Sequence, residues 1–340
     1  MSGQPIVDVH AHVLLPALQA QVAERDPAGF AAAQEVDLRR QGAESTTVSG
    51  RMIRDRFARL TNLDLRLAEM DATGVDVQVV SPSPSHYYPW AAEELADWSA
   101  RTANRMVAEL VTAAPDRLTG LGLIALQHPE RCADLLDDAL GRGLAGVEIS
   151  SFAPGVELSD ERLDPFWARA AATGAVLFLH PFGCSLDERL DRYYLSNTVG
   201  QPAENAVALS HVIFGGVLDR HPGLRIVAAH GGGYLPTAIG RSDHAWAARA
   251  DAHSCAEPPS SYLSRIWFDS LTHSAEGLRA LVAVAGASQV VLGSDWPFDM
   301  GVDDPVAPAR AAGLDEATTE ALLRGNAARL LDGRRTEVLG

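Results

Sequence analysis

The sequence predicts a (β/α)8 or TIM-barrel fold, and three observations predict it. Short apolar runs alternate with longer helical patterns along the chain. Glycines fall where helices should stop and strands begin. No repeat, low-complexity block or linker divides the 340 residues. The reading is therefore of one domain, residues 1–340, with a small insertion after the first strand.

The apolar runs, in order, are Ile6–Val9, Val75–Val80, Gly120–Ile124, Gly146–Ile149, Val176–Leu179, Leu224–Ala228, Ile266–Asp269 and Gln289–Leu292. Each has the length and composition of a buried parallel strand. Helical patterns run over Asn62–Thr73, Ala92–Ala114, Pro129–Gly141, Glu161–Thr173, Ala203–Arg220, Ala275–Val284 and Glu316–Leu331. Gly74, Gly143 and Gly174 stand where a left-handed cap would end a helix before the next strand. Residues 13–61 break the rhythm. They are long, polar and rich in arginine, and read either as a lid-like excursion over the catalytic face or as a solvated helical hairpin.

Composition excludes several functions. The formal charge of −16 opposes binding to nucleic acid or to an anionic membrane surface. No apolar run approaches the roughly 18 residues of a membrane span, and no leader pattern opens the chain. Cys132, Cys184 and Cys255 are few and widely spaced, which fits reduced thiols and a cytoplasmic location. All 28 basic residues are arginine. With no lysine, imine chemistry and a carbamylated lysine bridging two metals are both excluded.

The chemistry-bearing residues gather at strand ends. The first strand runs into His10-Ala11-His12, and alternation places Asp8, His10 and His12 on one face with Val7 and Val9 turned outward. The fifth strand ends in His180-Pro181, the sixth in His230-Gly231-Gly232-Gly233, and the eighth in Ser294-Asp295-Trp296-Pro297. In a barrel these C-terminal ends converge on one mouth, where catalysis takes place. One strand-end histidine is usually a structural residue; this many around one mouth read as a metal site. Three imidazoles and one carboxylate suit a single Zn²⁺, with Mn²⁺, Fe²⁺ or Co²⁺ also compatible. Spacing alone does not say which histidine stands apart from the ion. His273 follows the seventh strand closely enough to line the pocket or to lie on the surface. Cys184 has no base near it in sequence and reads as inert.

The motifs Asp8-Val9-His10-Ala11-His12, Leu179-His180-Pro181, Phe214-Gly215-Gly216-Val217, Ala229-His230-Gly231-Gly232-Gly233, Gly240-Arg241 and Gly293-Ser294-Asp295-Trp296-Pro297-Phe298 resemble the amidohydrolase-2 family. Within it the likeness is strongest to the decarboxylases of 2-amino-3-carboxymuconate 6-semialdehyde and of related aromatic acids. It runs in order from about residue 6 to 330. The resemblance implies that His10, His12, His180 and Asp295 hold the metal, and that His230 is the acid/base group beside the metal-bound water. It implies that Arg241 reaches the substrate carboxylate of a neighbouring subunit, hence a homodimer. A second carboxylate-binding arginine falls at Arg54, or at Arg51 if one short gap intervenes. Phe298 keeps the family's aromatic residue, whereas Tyr194 and Phe182 each stand where the family has tryptophan.

The expected reaction is non-oxidative decarboxylation of a small substituted unsaturated or aromatic carboxylic acid. The ion serves as the electrophile that a lysine cannot provide, and the metal-bound water and His230 deliver the proton. The alternative on the same scaffold is hydrolysis of a lactone or amide, with Asp295 or His230 deprotonating the attacking water. A non-catalytic scaffold protein would need no such complete ligand set.

Overall fold

A computed structural model describes residues 4–332. Its strands are β1 (Val7–Val13), β2 (Val77–Pro82), β3 (Leu118–Leu123), β4 (Gly146–Ser150), β5 (Val176–His180), β6 (Arg225–Ala228), β7 (Ile266–Asp269) and β8 (Val290–Val291). They form one eight-stranded parallel sheet in sequential order. It closes where β8 runs on to meet β1: Ala11 bridges Trp296, Val9 N–H donates to Leu292 O at 2.8 Å, and His12 N–H to Trp296 O at 2.8 Å. This is the expected TIM barrel.

Two apolar cores hold it together. One fills the barrel interior with Val7, Val9, Val77, Val79, Leu121, Val176, Phe178, Val227 and Val291. The other lies between strands and helices and includes Leu135, Ile149, Trp167, Leu177, Leu209, Phe268 and Leu278. Burying one such side chain is worth about 1.5–3 kcal/mol. The helices end as their glycines require, with Gly74 at φ 72° and Gly174 at φ 63°, where a side chain would be strained.

Membership of the inner core corrects the face assignment of the first strand. Val7 and Val9 point into the barrel, and Asp8 points out toward Gln78. The reason is a bulge: Val7 pairs with Val77 and Asp8 with Gln78, but Ala11 pairs with Val80 and His12 with Ser81. One extra residue on β1 inverts the alternation, so His10 and His12 face inward although Val7 and Val9 do too.

Elsewhere the differences are local. A helix over Leu235–Ala248 follows β6, where apolar periodicity is weak, and another covers Val306–Ala311. The expected final helix is broken by a π-helical turn at Ala321–Gly325. Residues 13–61 fold into helices Pro16–Arg25, Pro27–Gln41, Ala43–Asp55 and Phe57–Thr61. Leu18 and Val22 are buried, but the Pro27–Gln41 helix buries no residue fully. The layer is tied to the barrel by polar contacts, including Arg59 with Glu69 and Arg56 Nη1 on the carbonyl of Pro297 at 2.8 Å. No helix among the described residues is long and apolar enough to cross a membrane.

Candidate metal centre and active site

Inside the mouth, β1 presents His10 and His12, β5 presents His180, and the turns after β6 and β8 present His230 and Asp295. His10, His12 and His180 are buried, Asp295 is 6% exposed, and His230 is only partly covered. His10 Nε2 lies 3.1 Å from His12 Nε2 and 3.3 Å from Asp295 Oδ1, which is itself 3.2 Å from His12 Nε2. His10, His180, His230 and Asp295 each offer a ligand atom within 4.8 Å of the others. The His180 ring sits 4.9 Å from those of both His12 and His230. All the strand-end groups named from sequence therefore converge on one point.

The cluster fits a cation. Both ring nitrogens of His180 are buried with no hydrogen-bond partner among the described residues, and so is Asp295 Oδ1. Buried polar atoms left unpaired cost about 1–3 kcal/mol each, and an ion at their common focus would satisfy them together. Burial and the neighbouring histidines hold His180 well below the ordinary imidazole range. Burial also lowers His12. Burial opposes ionisation of Asp295, but His10, His12 and His230 outweigh it and keep this carboxyl well below the usual range. Burial likewise opposes a charge on His10, yet Asp295 and Asp269 push it up to about 10.

The turns carrying His230 and Asp295 are strained. Their φ values are 54° and 56°, in the left-handed region that residues with a Cβ seldom adopt. The glycines after His230 allow its turn to pass close to its neighbours. A Cβ on Gly232 would lie 2.7 Å from the Phe268 ring, and one on Gly233 would lie 2.1 Å from Pro202 O. The sequence reading missed several residues around the cluster. Asp269 Oδ2 is 2.6 Å from His10 Nδ1. Ser81 Oγ is 3.2 Å from His12 Nδ1, with Glu148 Oε2 at 3.7 Å. Tyr87 donates its hydroxyl to Glu148 Oε1. Burial, working against hydrogen bonds from Ser81 and Tyr87, pushes Glu148 up to about 8. Asp269 was visible as a strand-end carboxylate, and Glu148 as the one acid in an apolar run. Ser81 and Tyr87 carried no signal.

Two recesses open from the cluster. One, about 290 Å³, is lined by His180, Asp295, Tyr194, Phe182 and Phe298, with Ser49, Met52 and Ile53 from the Ala43–Asp55 helix. The other, about 480 Å³, is lined by His230, Asp295, Tyr234, Leu271 and His273. The arginines fall elsewhere. Arg51 and Arg54 are exposed and line neither recess, because Ser49, Met52 and Ile53 occupy the face of that helix turned to the mouth. Arg241 is exposed on the Leu235–Ala248 helix, outside both recesses of its own chain. Cys184 is a buried free thiol, raised by burial.

A parallel barrel with a histidine–carboxylate cluster at the C-terminal ends of its strands defines the class of metal-dependent barrel enzymes. The particular family follows from comparison: residues 7–333 match the amidohydrolase family model Amidohydro_2, and the chain belongs to that family. It is 33% identical over 329 residues to 2-amino-3-carboxymuconate-6-semialdehyde decarboxylase of Dictyostelium discoideum, covering 96% of this chain and 91% of the relative. Its structure is similar to that of 5-carboxyvanillate decarboxylase from Sphingomonas paucimobilis, with TM-score 0.79, 25% identity, and coverage of 97% and 99% of the two chains. The fold is shared with a dihydroxybenzoic acid decarboxylase from a Polaromonas species, solved with bound manganese and an inhibitor, at TM-score 0.81, 23% identity and 99% coverage of each chain.

Proposed function

We propose that this chain is a metal-dependent carbon–carbon lyase that releases CO₂ from a small unsaturated or aromatic carboxylic acid bearing an oxygen or nitrogen substituent near the carboxylate. The observation that carries the reading is the buried set of His180 and Asp295 Oδ1 beside His10, without hydrogen-bond partners among the described residues and opening onto a recess walled by Tyr194, Phe182 and Phe298. Relatives and structural neighbours bearing decarboxylase names support it.

His10, His12, His180 and Asp295 would hold one divalent ion, Zn²⁺ by ligand type, with Mn²⁺, Fe²⁺ or Co²⁺ also compatible. When bound, the ion supplies a Lewis acid that draws electron density from the reacting carbon toward a substrate oxygen. The aromatic walls orient a planar substrate and displace water. His230, on the rim shared with the second recess, holds a proton at Nε2 near Asp295 Oδ2, 3.5 Å away, and moves it to the carbon as CO₂ departs. Bond order balances: the carbon–carboxylate bond breaks, its electron pair stays on carbon, and the proton takes it up.

Neither recess is lined by arginine among the described residues. The exposed Arg241 is therefore assigned to the carboxylate in a neighbouring subunit's site, which makes the working species a homodimer. The three widely spaced cysteines fit reduced thiols in a cytoplasm, and the negative charge opposes binding to nucleic acid or an anionic membrane surface. The test is product identity from a panel of hydroxy- and amino-substituted acids in deuterated water. CO₂ evolution with one deuterium on the carbon that lost it supports the proposal. A water-added product without CO₂ defeats it and makes the protein a hydrolase.

A further inference from the structure

Asp269 is fully buried at the end of β7, and its carboxylate faces the mouth. Its Oδ2 is 2.6 Å from His10 Nδ1 and accepts the backbone N–H of His230 at 2.9 Å. Its Oδ1 accepts the N–H of Gly231 at 2.8 Å and of Leu271 at 3.2 Å. His230 and Gly231 follow one another at φ 54° and 60°, a succession that points adjacent N–H groups at a single anion.

We infer that Asp269 is a positioning residue that fixes two active groups at once, the ring of the ligand His10 and the backbone of the acid/base residue His230. The inference rests on the metal-site reading above. By accepting from Nδ1–H, the carboxylate leaves the Nε2 lone pair of His10 facing the cluster, which is the only tautomer that can ligate there. By accepting from the turn, it offsets the strain of a left-handed His230 and sets where the His230 ring sits. A neutral amide cannot replace it. Each oxygen faces two N–H donors, so the NH₂ of asparagine would oppose donors whichever way it turned.

The experiment compares native protein and Asp269→Asn, both loaded with Zn²⁺. A chromogenic chelator in competition reads zinc affinity, and CO₂ release at saturating zinc reads kcat. The expected result is zinc affinity weakened by about 10–100-fold. With zinc saturating, kcat should remain about 10²-fold below native, because His230 is misplaced. Either quantity staying within about threefold of native overturns the inference. If native protein binds no zinc at all, the metal-site reading fails instead, and the two failures are distinct.

Should the variant not fold, the zinc-loaded native protein decides by long-range ¹H–¹⁵N NMR of its histidines. A hydrogen-bonded Nδ1–H on His10, with slowly exchanging amides at His230 and Gly231, upholds the inference. A His10 that carries its proton on Nε2 overturns it.

Discussion

Ser294 donates both its backbone N–H, at 3.0 Å, and its hydroxyl, at 2.6 Å, to the carboxylate of Asp8, 286 residues earlier in the chain. The same carboxylate accepts Gln78 Nε2 at 2.9 Å and the N–H of His10 at 3.1 Å. It thereby joins β8, β1 and β2 at the seam where the ladder of β8 has already ended at Val291. Arg66, also buried, lies behind it, stacked 4.2 Å over Trp296 and bonded to His12 O at 2.6 Å.

This seam should be costly to open. Asp8→Ala strands several buried donors and leaves Arg66 with a weaker counter-charge, so stability should fall by about 3–5 kcal/mol. The expected readout is a lower urea midpoint with an unchanged slope. A midpoint equal to that of native protein would show that Asp8 does not secure the closure.

Metal content is the second expected outcome. Purified protein should carry about one divalent ion per chain, since one ligand set of this size holds one ion. His12→Ala and Asp295→Ala should each lose metal and activity together, read by elemental analysis. An active preparation with no stoichiometric metal would remove the basis of the proposed chemistry.

His230 lies close enough to His10, His180 and Asp295 to share in holding an ion, so its variant is informative. His230→Ala should keep its metal while turnover drops by roughly 10²–10⁴-fold, the usual contribution of a general acid. Loss of the ion from this variant would reassign His230 as a ligand.

A pH effect is expected away from the metal. His86 is buried, its Nε2 accepting the N–H of Leu15 at 3.0 Å while Nδ1 meets the Tyr88 hydroxyl at 2.9 Å. Burial lowers its pKa from 6.5 to about 4. Between these values the unfolded chain binds the proton and the native state does not, so stability rises with pH from 4 to 6.5 and is lost as pH falls. The full contribution is about 3 kcal/mol. The stability difference between native protein and His86→Gln should shrink in favour of the variant as pH drops through this window. Parallel pH profiles for the two would refute the assignment.

The sharing of one site by Arg241 is tested by mixing. Arg241→Ala and His230→Ala proteins, each impaired alone, should regain partial activity together, because a mixed dimer assembles one intact site. Full activity from a species that sediments as a monomer would exclude the shared arginine.

Much of this protein is legible without coordinates. Parallel strands buried on both faces need continuous apolar runs, and such runs can be read locally. So can the polar group that ends each of β1, β5, β6 and β8, because a barrel gathers C-terminal strand ends whatever the details of its helices. His10, His12, His180, His230 and Asp295 were identifiable on that ground alone. The tertiary structure decided which way side chains point and what stands behind them. Strict alternation assigned Val7 and Val9 to the outside. The bulge between Asp8 and Ala11 reversed that phase, an effect of pairing with β2 that β1 does not encode by itself. Helix rotation set Arg51 and Arg54 outward and gave the recess Met52 and Ile53 instead. Asp269 reaches both groups because sheet order sets β7 beside β6 while closure sets β1 beside β8, so one carboxylate meets the His230 turn and His10. Periodicity specifies elements one at a time, whereas a ligand's orientation depends on the register between elements far apart in sequence.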